Sequence, residues 1–310
     1  MKITYIFLIV IFILVTSCKD QESKPLANLE VNQPTFEASY QEPQKPRPLS
    51  EDFKNYWYNG TAEITSYELN QGRYGEIRKG SAILIYVTED FLPDAQVKAD
   101  QQSERNIPIL KLNATKNFNT GIYPYSIMES TFYPVGNHQH AIKVASSMQE
   151  WCGQIYAQLN NRDQFEITSH SYFQGEEDEK FALEKNLMEN ELWTQIRIDP
   201  STLPKGDITI IPGLAYAKMK HLKLQAYKAN ATLEETADNM TYTLNYPELK
   251  RTLVITFENK APYTISSWKE TYISRGKQLT STGTRKKQIR SAYWGKNSNA
   301  DEELRKELGL

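Results

Sequence analysis

The chain has 310 residues, 39% hydrophobic and 24% charged, with a net charge of −2. That balance excludes a wholly disordered chain and a bundle of membrane-spanning helices, and it lacks the basic excess of a nucleic-acid-binding protein. Two cysteines exclude a disulfide scaffold and a cysteine-rich zinc site.

At the N-terminus, Lys2 precedes an uncharged apolar run over residues 6–15. About ten residues are too few to span a bilayer, which takes roughly 20, and match the apolar core of a secretory signal. Val15-Thr16-Ser17-Cys18 follows and resembles the bacterial lipobox: an aliphatic residue, small residues at the cleavage point, then the thiol that accepts a diacylglyceryl group. The resemblance implies a signal peptide over residues 1–17 and lipidation of Cys18. Each buried methylene then adds about 0.8 kcal/mol to membrane attachment, so three acyl chains, palmitate among them, anchor permanently. No Asp follows the cysteine directly, so the expected location is the outer membrane, on either its periplasmic face or the cell surface. Residues 18–50 carry Pro25, Pro34, Pro43, Pro46 and Pro48 among few apolar side chains and read as a lipidated, Pro-rich tether.

From residue 51 to 298 the pattern is period-two alternation bounded by turn residues, the signature of β-strands. Strands are expected over 61–70, 81–88, 123–132, 139–147, 165–173, 193–198, 207–211, 219–227, 240–246, 252–257, 263–273 and 278–289. Turns fall at 246–250 and at Arg275-Gly276-Lys277. Helical periodicity is confined to 176–192 and to a C-terminal helical tail over 299–310, where Leu304 and Leu308 lie four apart. The expected class is mostly β: a large curved antiparallel sheet, as a half-barrel, barrel or sandwich, with one or two short helices. So many strands need curvature or covered edges.

Candidate chemistry is sparse. His138 and His140 share a strand face and form a weak metal or base pair, with Glu129 and Glu150 nearby in sequence but at no recognised ligand spacing. Cys152, between Trp151 and Gly153, is a weak candidate nucleophile with His138, His140 or His170 as base. The more ordinary reading of these residues is turn histidines and a packed thiol, so no metal, cofactor or catalytic residue is assigned. Aromatic residues near strand ends, namely Tyr56, Trp57, Tyr58, Tyr123, Tyr125, Phe132, Tyr133, Tyr293 and Trp294, are weak candidates for stacking on a sugar or touching an acyl chain. Phosphate cradles and serine-hydrolase elbows are absent from the sequence.

The segments at 56–98, KLNATKNFNTGIYPYSIMESTFYP, SSMQEWCGQIY and LWTQIRIDPSTLPKGDITIIP resemble an uncharacterised lipoprotein family of Flavobacteria and other Bacteroidota. Some of its members are called septum formation inhibitor Maf. The Ser-x-Ser-Pro-Arg-Arg motif of Maf nucleotide pyrophosphatases is missing here, so the resemblance implies a location and carries no catalytic residues. The expected function is a non-enzymatic outer-membrane module that binds or carries an apolar (lipid or acyl) or glycan ligand, or meets a protein of the envelope. An envelope hydrolase using Cys152 or His138/His140 is the alternative, and a Maf-type pyrophosphatase ranks last.

Overall fold

The computed structural model describes residues 48–136 and 140–310. The signal segment, Cys18, nearly all of the tether and His138 lie outside the described residues. In chain order the elements are α1 (Glu51–Trp57), β1 (Ala62–Arg73), β2 (Glu76–Leu92), β3 (Val97–Lys98), β4 (Ile107–Thr120), β5 (Tyr123–Pro134), β6 (Lys143–Glu150), β7 (Gly153–Asn161), β8 (Phe165–Ser171), β9 (Glu179–Leu183) and β10 (Leu187–Met188). There follow α2 (Glu189–Ile198), β11 (Gly206–Ile211), α3 (Leu214–Met219), β12 (Tyr227–Glu235), β13 (Asn239–Tyr246), β14 (Arg251–Glu258), β15 (Ile265–Ser274), β16 (Lys277–Ser291) and α4 (Glu303–Glu307).

All sixteen strands belong to one sheet, ordered β10-β11-β12-β13-β14-β15-β16-β1-β2-β4-β5-β6-β7-β8-β9, with β3 beside β2. Pairing is antiparallel except between β10 and β11. The sheet is therefore two meanders joined by the β1–β16 ladder, which runs from Ala62↔Ser291 to Asn70↔Thr282. The ends of the path, β9 and β10, are consecutive in sequence. From Leu183 to Leu187 the chain reaches at most about 14 Å. Fifteen strands laid flat would put those ends roughly 65–70 Å apart at about 4.8 Å per strand. The sheet must therefore curl on itself, leaving a seam between β9 and β10 that no ladder closes.

Alternation sorts the side chains between the two faces. On β1, Tyr67 and Leu69 join the inner core with Ala82, Leu84 and Tyr86 of β2 and Leu110 and Leu112 of β4. Ala62 and Ile64 face outward, where Val87 and Leu308 cover them. The C-terminal tail is helical, as expected, and docks on this outer face. Ser66 donates to the Leu308 carbonyl, and Lys286 Nζ donates to that of Gly309 at 2.7 Å. Leu192 and Ile196 of α2 and Ala215 and Met219 of α3 belong to the inner core, so these two helices fill the hollow of the sheet.

The mostly-β curved sheet agrees with the sequence reading, and several element assignments do not. Among the described residues there are four short helices, where one or two were expected. Residues 176–192 hold β9, a loop, β10 and only the first turn of α2, which starts at Glu189, and residues 193–198 continue α2 instead of forming a strand. The α2 N-terminus carries Glu189 and Glu191, which suit the positive end of the helix dipole, and Pro200 lies just past its end. The segment 219–227 contains the end of α3 and a loop. Strands β3, β4, β7 and β12 went unpredicted, and so did α3 and α1, the latter capped by Ser50, which accepts from Phe53 N at 3.1 Å.

Candidate functional site

Helix α2 is polar on every side and buried on nearly every side. Such a helix is tolerable only if each polar group finds a partner. At its C-terminal end, Arg197 makes a two-pronged bond to Glu63 of β1 at 2.6 and 2.7 Å. Tyr56 also donates to Glu63. The guanidinium lies 4.7 Å from the Tyr86 ring centre and 5.1 Å from that of Trp57. Burial alone would push the Glu63 carboxyl up, but Arg197 and the hydrogen bonds from Arg197 and Tyr56 hold it below its ordinary value.

At the other end of the helix, Glu189 takes both terminal nitrogens of Arg251 on β14 and accepts from Tyr246 at 2.7 Å. Arg251 Nε also donates to Glu270 at 2.8 Å. Desolvation opposes ionisation of Glu189, yet Arg251 and Tyr246 keep its carboxyl lowered. Between these ends, Asn190 donates to Glu129 of β5 at 3.0 Å, and Glu129 in turn accepts from Ala215 N at the start of α3 at 2.9 Å. Glu191 accepts from Ala141 N at 3.0 Å and pairs with His140 Nδ1 at 3.0 Å. Burial disfavours the charged imidazole, but the Glu191 carboxylate outweighs it and raises the His140 pKa.

Cavities remain around this plug. A cavity of about 60 Å³ lies between the helices and the sheet, walled by Leu84, Leu112, Ile127, Trp193, Leu253 and Trp268 among others. Its walls come from β5 and β14, six strand spacings apart along the sheet. A larger pocket of about 260 Å³ sits at the end of the sheet where the chain enters. Leu49, Phe53, Tyr133, Val135, Ile198 and Tyr263 supply its apolar walls, and Ser50, Gln195, Asp199 and Thr202 its polar ones. Gln195 Nε2 donates to the Tyr133 hydroxyl at 3.0 Å, while its buried carbonyl oxygen accepts no hydrogen bond.

The sequence-flagged residues do not converge on either space. Cys152 lies in the exposed turn between β6 and β7, where its N–H donates to Glu150 at 2.9 Å. A hydrogen bond with Glu150 and that carboxylate's charge push its thiol pKa up, which is the wrong direction for a nucleophile. No hydrogen bond joins Cys152 to a histidine among the described residues. His140 is held by Glu191, His170 pairs with Asp178 at 3.1 Å, and His221 pairs with Glu176. Among the described residues no group of three or more His, Cys, Asp and Glu side chains could hold a metal ion.

Of the flagged aromatics, Trp57 is a core residue under Arg197 rather than a surface platform, because α1 packs it against Tyr86. Tyr56 serves the Glu63 pair. Tyr293 packs with the outer cluster under the tail. Tyr58 and Trp294 are exposed, and only Tyr133 lines the larger pocket. Phe53, Gln195 and Tyr263 escaped sequence reading. The Ser50-Glu51-Asp52 helix start was a signal for Phe53; nothing local marked the other two.

Compared with known proteins, the chain matches no family model, no curated protein and no solved structure. Among the described residues no helix is long and apolar enough to cross a membrane.

Proposed function

We propose that the protein is a non-enzymatic lipoprotein of the outer membrane that binds an acyl segment of an envelope amphiphile in the pocket beside α1. The observation that carries this reading is the pocket's make-up: aliphatic and aromatic walls, polar groups over nearly as much of its surface, and a buried Gln195 oxygen that accepts no hydrogen bond. Small-molecule sites combine apolar walls with placed polar groups in this way. At about 260 Å³ the space falls just below the usual range of roughly 300–1,000 Å³. It suits one short acyl segment or a single sugar ring rather than a whole phospholipid. An acyl segment gains about 25 cal/mol per Å² of apolar surface withdrawn from water, and a hydroxyl or amide next to it would satisfy Gln195. The lipobox resemblance supports the anchor, and the flavobacterial resemblance supports the envelope setting.

The test is native mass spectrometry of the protein purified from membranes, with displacement of a fluorescent fatty acid as the binding assay. Leu49→Glu and Ile198→Glu place a carboxylate in the pocket and should each lower fatty-acid affinity at least tenfold. Unchanged affinity in both would refute the site. Cys18→Ser should release the chain from acylation and from the membrane fraction; persistence of a labelled acyl group on that variant would refute the anchor.

A further inference from the structure

At the opposite end of β1 from the larger pocket, the hairpin tips gather. The β5–β6 register, Ser126↔Gln149, continues to put Tyr123 level with Cys152, so the β4–β5 and β6–β7 turns stand side by side. Their outermost side chains are Ile122 and Trp151, 82% and 68% exposed. Five of the ten large hydrophobic residues most exposed to solvent lie at this end: Ile77, Ile122, Trp151, Tyr172 and Ile273. Such a concentration is costly in water and marks a contact surface. It is a set of separate protruding tips, unlike the flat packed patch of a protein interface.

The charges at this end point to the partner. Glu76 is paired with Arg78, Glu150 accepts from Tyr172 and Cys152, and Glu176 is paired with Lys218 and His221, while Glu177 is exposed with no ion pair among the described residues. Among the described residues, Lys79 and Lys277 are exposed beside the tips without an ion pair, and Arg275 makes none while stacking 4.7 Å from the Tyr74 ring centre. Trp and Tyr favour the water–lipid boundary, and lysines near a membrane surface are drawn to anionic headgroups.

We propose that this end docks on an anionic lipid bilayer, with Ile122 and Trp151 entering below the headgroups and Lys79 and Lys277 meeting the lipid phosphates. This contact is independent of the ligand pocket, which lies at the other end of the sheet. Cys152 lies beside Trp151 and supplies the probe site. In the full chain carrying Cys18→Ser, a polarity-sensitive NBD label on Cys152 should brighten several-fold on vesicles of phosphatidylcholine with phosphatidylglycerol. Nitroxide-bearing lipid should quench it. A label on Asn297→Cys in a Cys152→Ser background, at the far end, should stay dark. Ile122→Ser with Trp151→Ser should abolish the change, and Lys79→Ser with Lys277→Ser should weaken it. All four side chains are exposed, and circular dichroism checks that the fold is kept. An unchanged Cys152 signal while the protein floats with the vesicles would overturn the proposal. So would a response to peptidoglycan fragments in place of vesicles. Equal responses to neutral and anionic vesicles would overturn its electrostatic part.

Discussion

Replacing Arg197 by methionine should be one of the most damaging single changes in the molecule. Arg197 and Glu63 are 1% and 0% exposed, and their two bonds at 2.6 and 2.7 Å are the main compensation for desolvating both charges. Removing one partner of such a pair costs about 3–5 kcal/mol, because the other charge stays buried. At roughly 2 °C per kcal/mol for a domain of this size, Arg197→Met should melt about 6–10 °C lower. Replacing both partners, as Glu63→Leu with Arg197→Met, should recover most of that loss, since no charge is left to desolvate. The pH dependence gives a second reading. In the native protein the Glu63 pKa is lowered, so its contribution is present above the unfolded value and is lost as pH falls through the folded one. In Arg197→Met the buried carboxyl has lost its cation, and its pKa rises above the unfolded value. The deficit relative to the native protein should then shrink on acidification from pH 7 toward 5. Urea denaturation of the three proteins at several pH values measures all of this. A single variant within 1 kcal/mol of native stability, or a double variant as weak as the single, would refute the reasoning.

His140→Ala should remove a stabilising pair whose contribution is full below the unfolded imidazole pKa and fades as pH rises through the raised folded value. Its destabilisation, read from melting curves, should therefore be larger at pH 6 than at pH 9. Gly283→Ala should cost several kcal/mol, because an added Cβ would sit 2.2 Å from the Trp268 indole; a melting temperature within a degree of native would contradict the inner-face packing. Leu308→Glu should uncover Ala62, Ile64 and Val87 and cost about 2–3 kcal/mol. Binding of a hydrophobic dye should increase in that variant; no increase would mean the tail does not shield the sheet.

The hairpins with clean alternation were legible because one face of each is buried. The β13–β14 pair shows it: Tyr242, Leu244, Leu253 and Ile255 point inward while Thr241, Thr243, Thr252 and Val254 face the other way. Strand β4 was missed because Asn113, Asn117 and Asn119 break its text, although Leu110, Leu112, Ala114 and Phe118 keep strict parity. Helix α2 was unreadable for a deeper reason. Amphipathic periodicity presumes a wet side, and α2 has hardly any. Its Glu189, Asn190, Glu191, Gln195 and Arg197 each bond a residue of a strand or of the β5–β6 connection between 50 and 134 positions away. Pairings at that range leave no local trace, and the alternating Trp193-Thr194-Gln195-Ile196-Arg197 then reads as a strand. The larger pocket was hidden likewise, since its walls come from α1, the end of β5, α2 and the approach to β15.

The seam between β9 and β10 has a counterpart in the β1–β16 ladder. Elsewhere along the path neighbouring strands are held both by a ladder and by a nearby chain connection; at the seam only the chain connects, and at β1–β16 only the ladder does. Each meander can assemble from local hairpins, which is fast. Zipping β1 to β16 instead closes a loop of more than 200 residues, at an entropic cost of about 5 kcal/mol. That step needs β16, the last strand of the chain. A chain emerging N-terminus first would therefore hold β1 as an exposed sheet edge until β16 arrives, which makes the finished first meander a natural client for a chaperone.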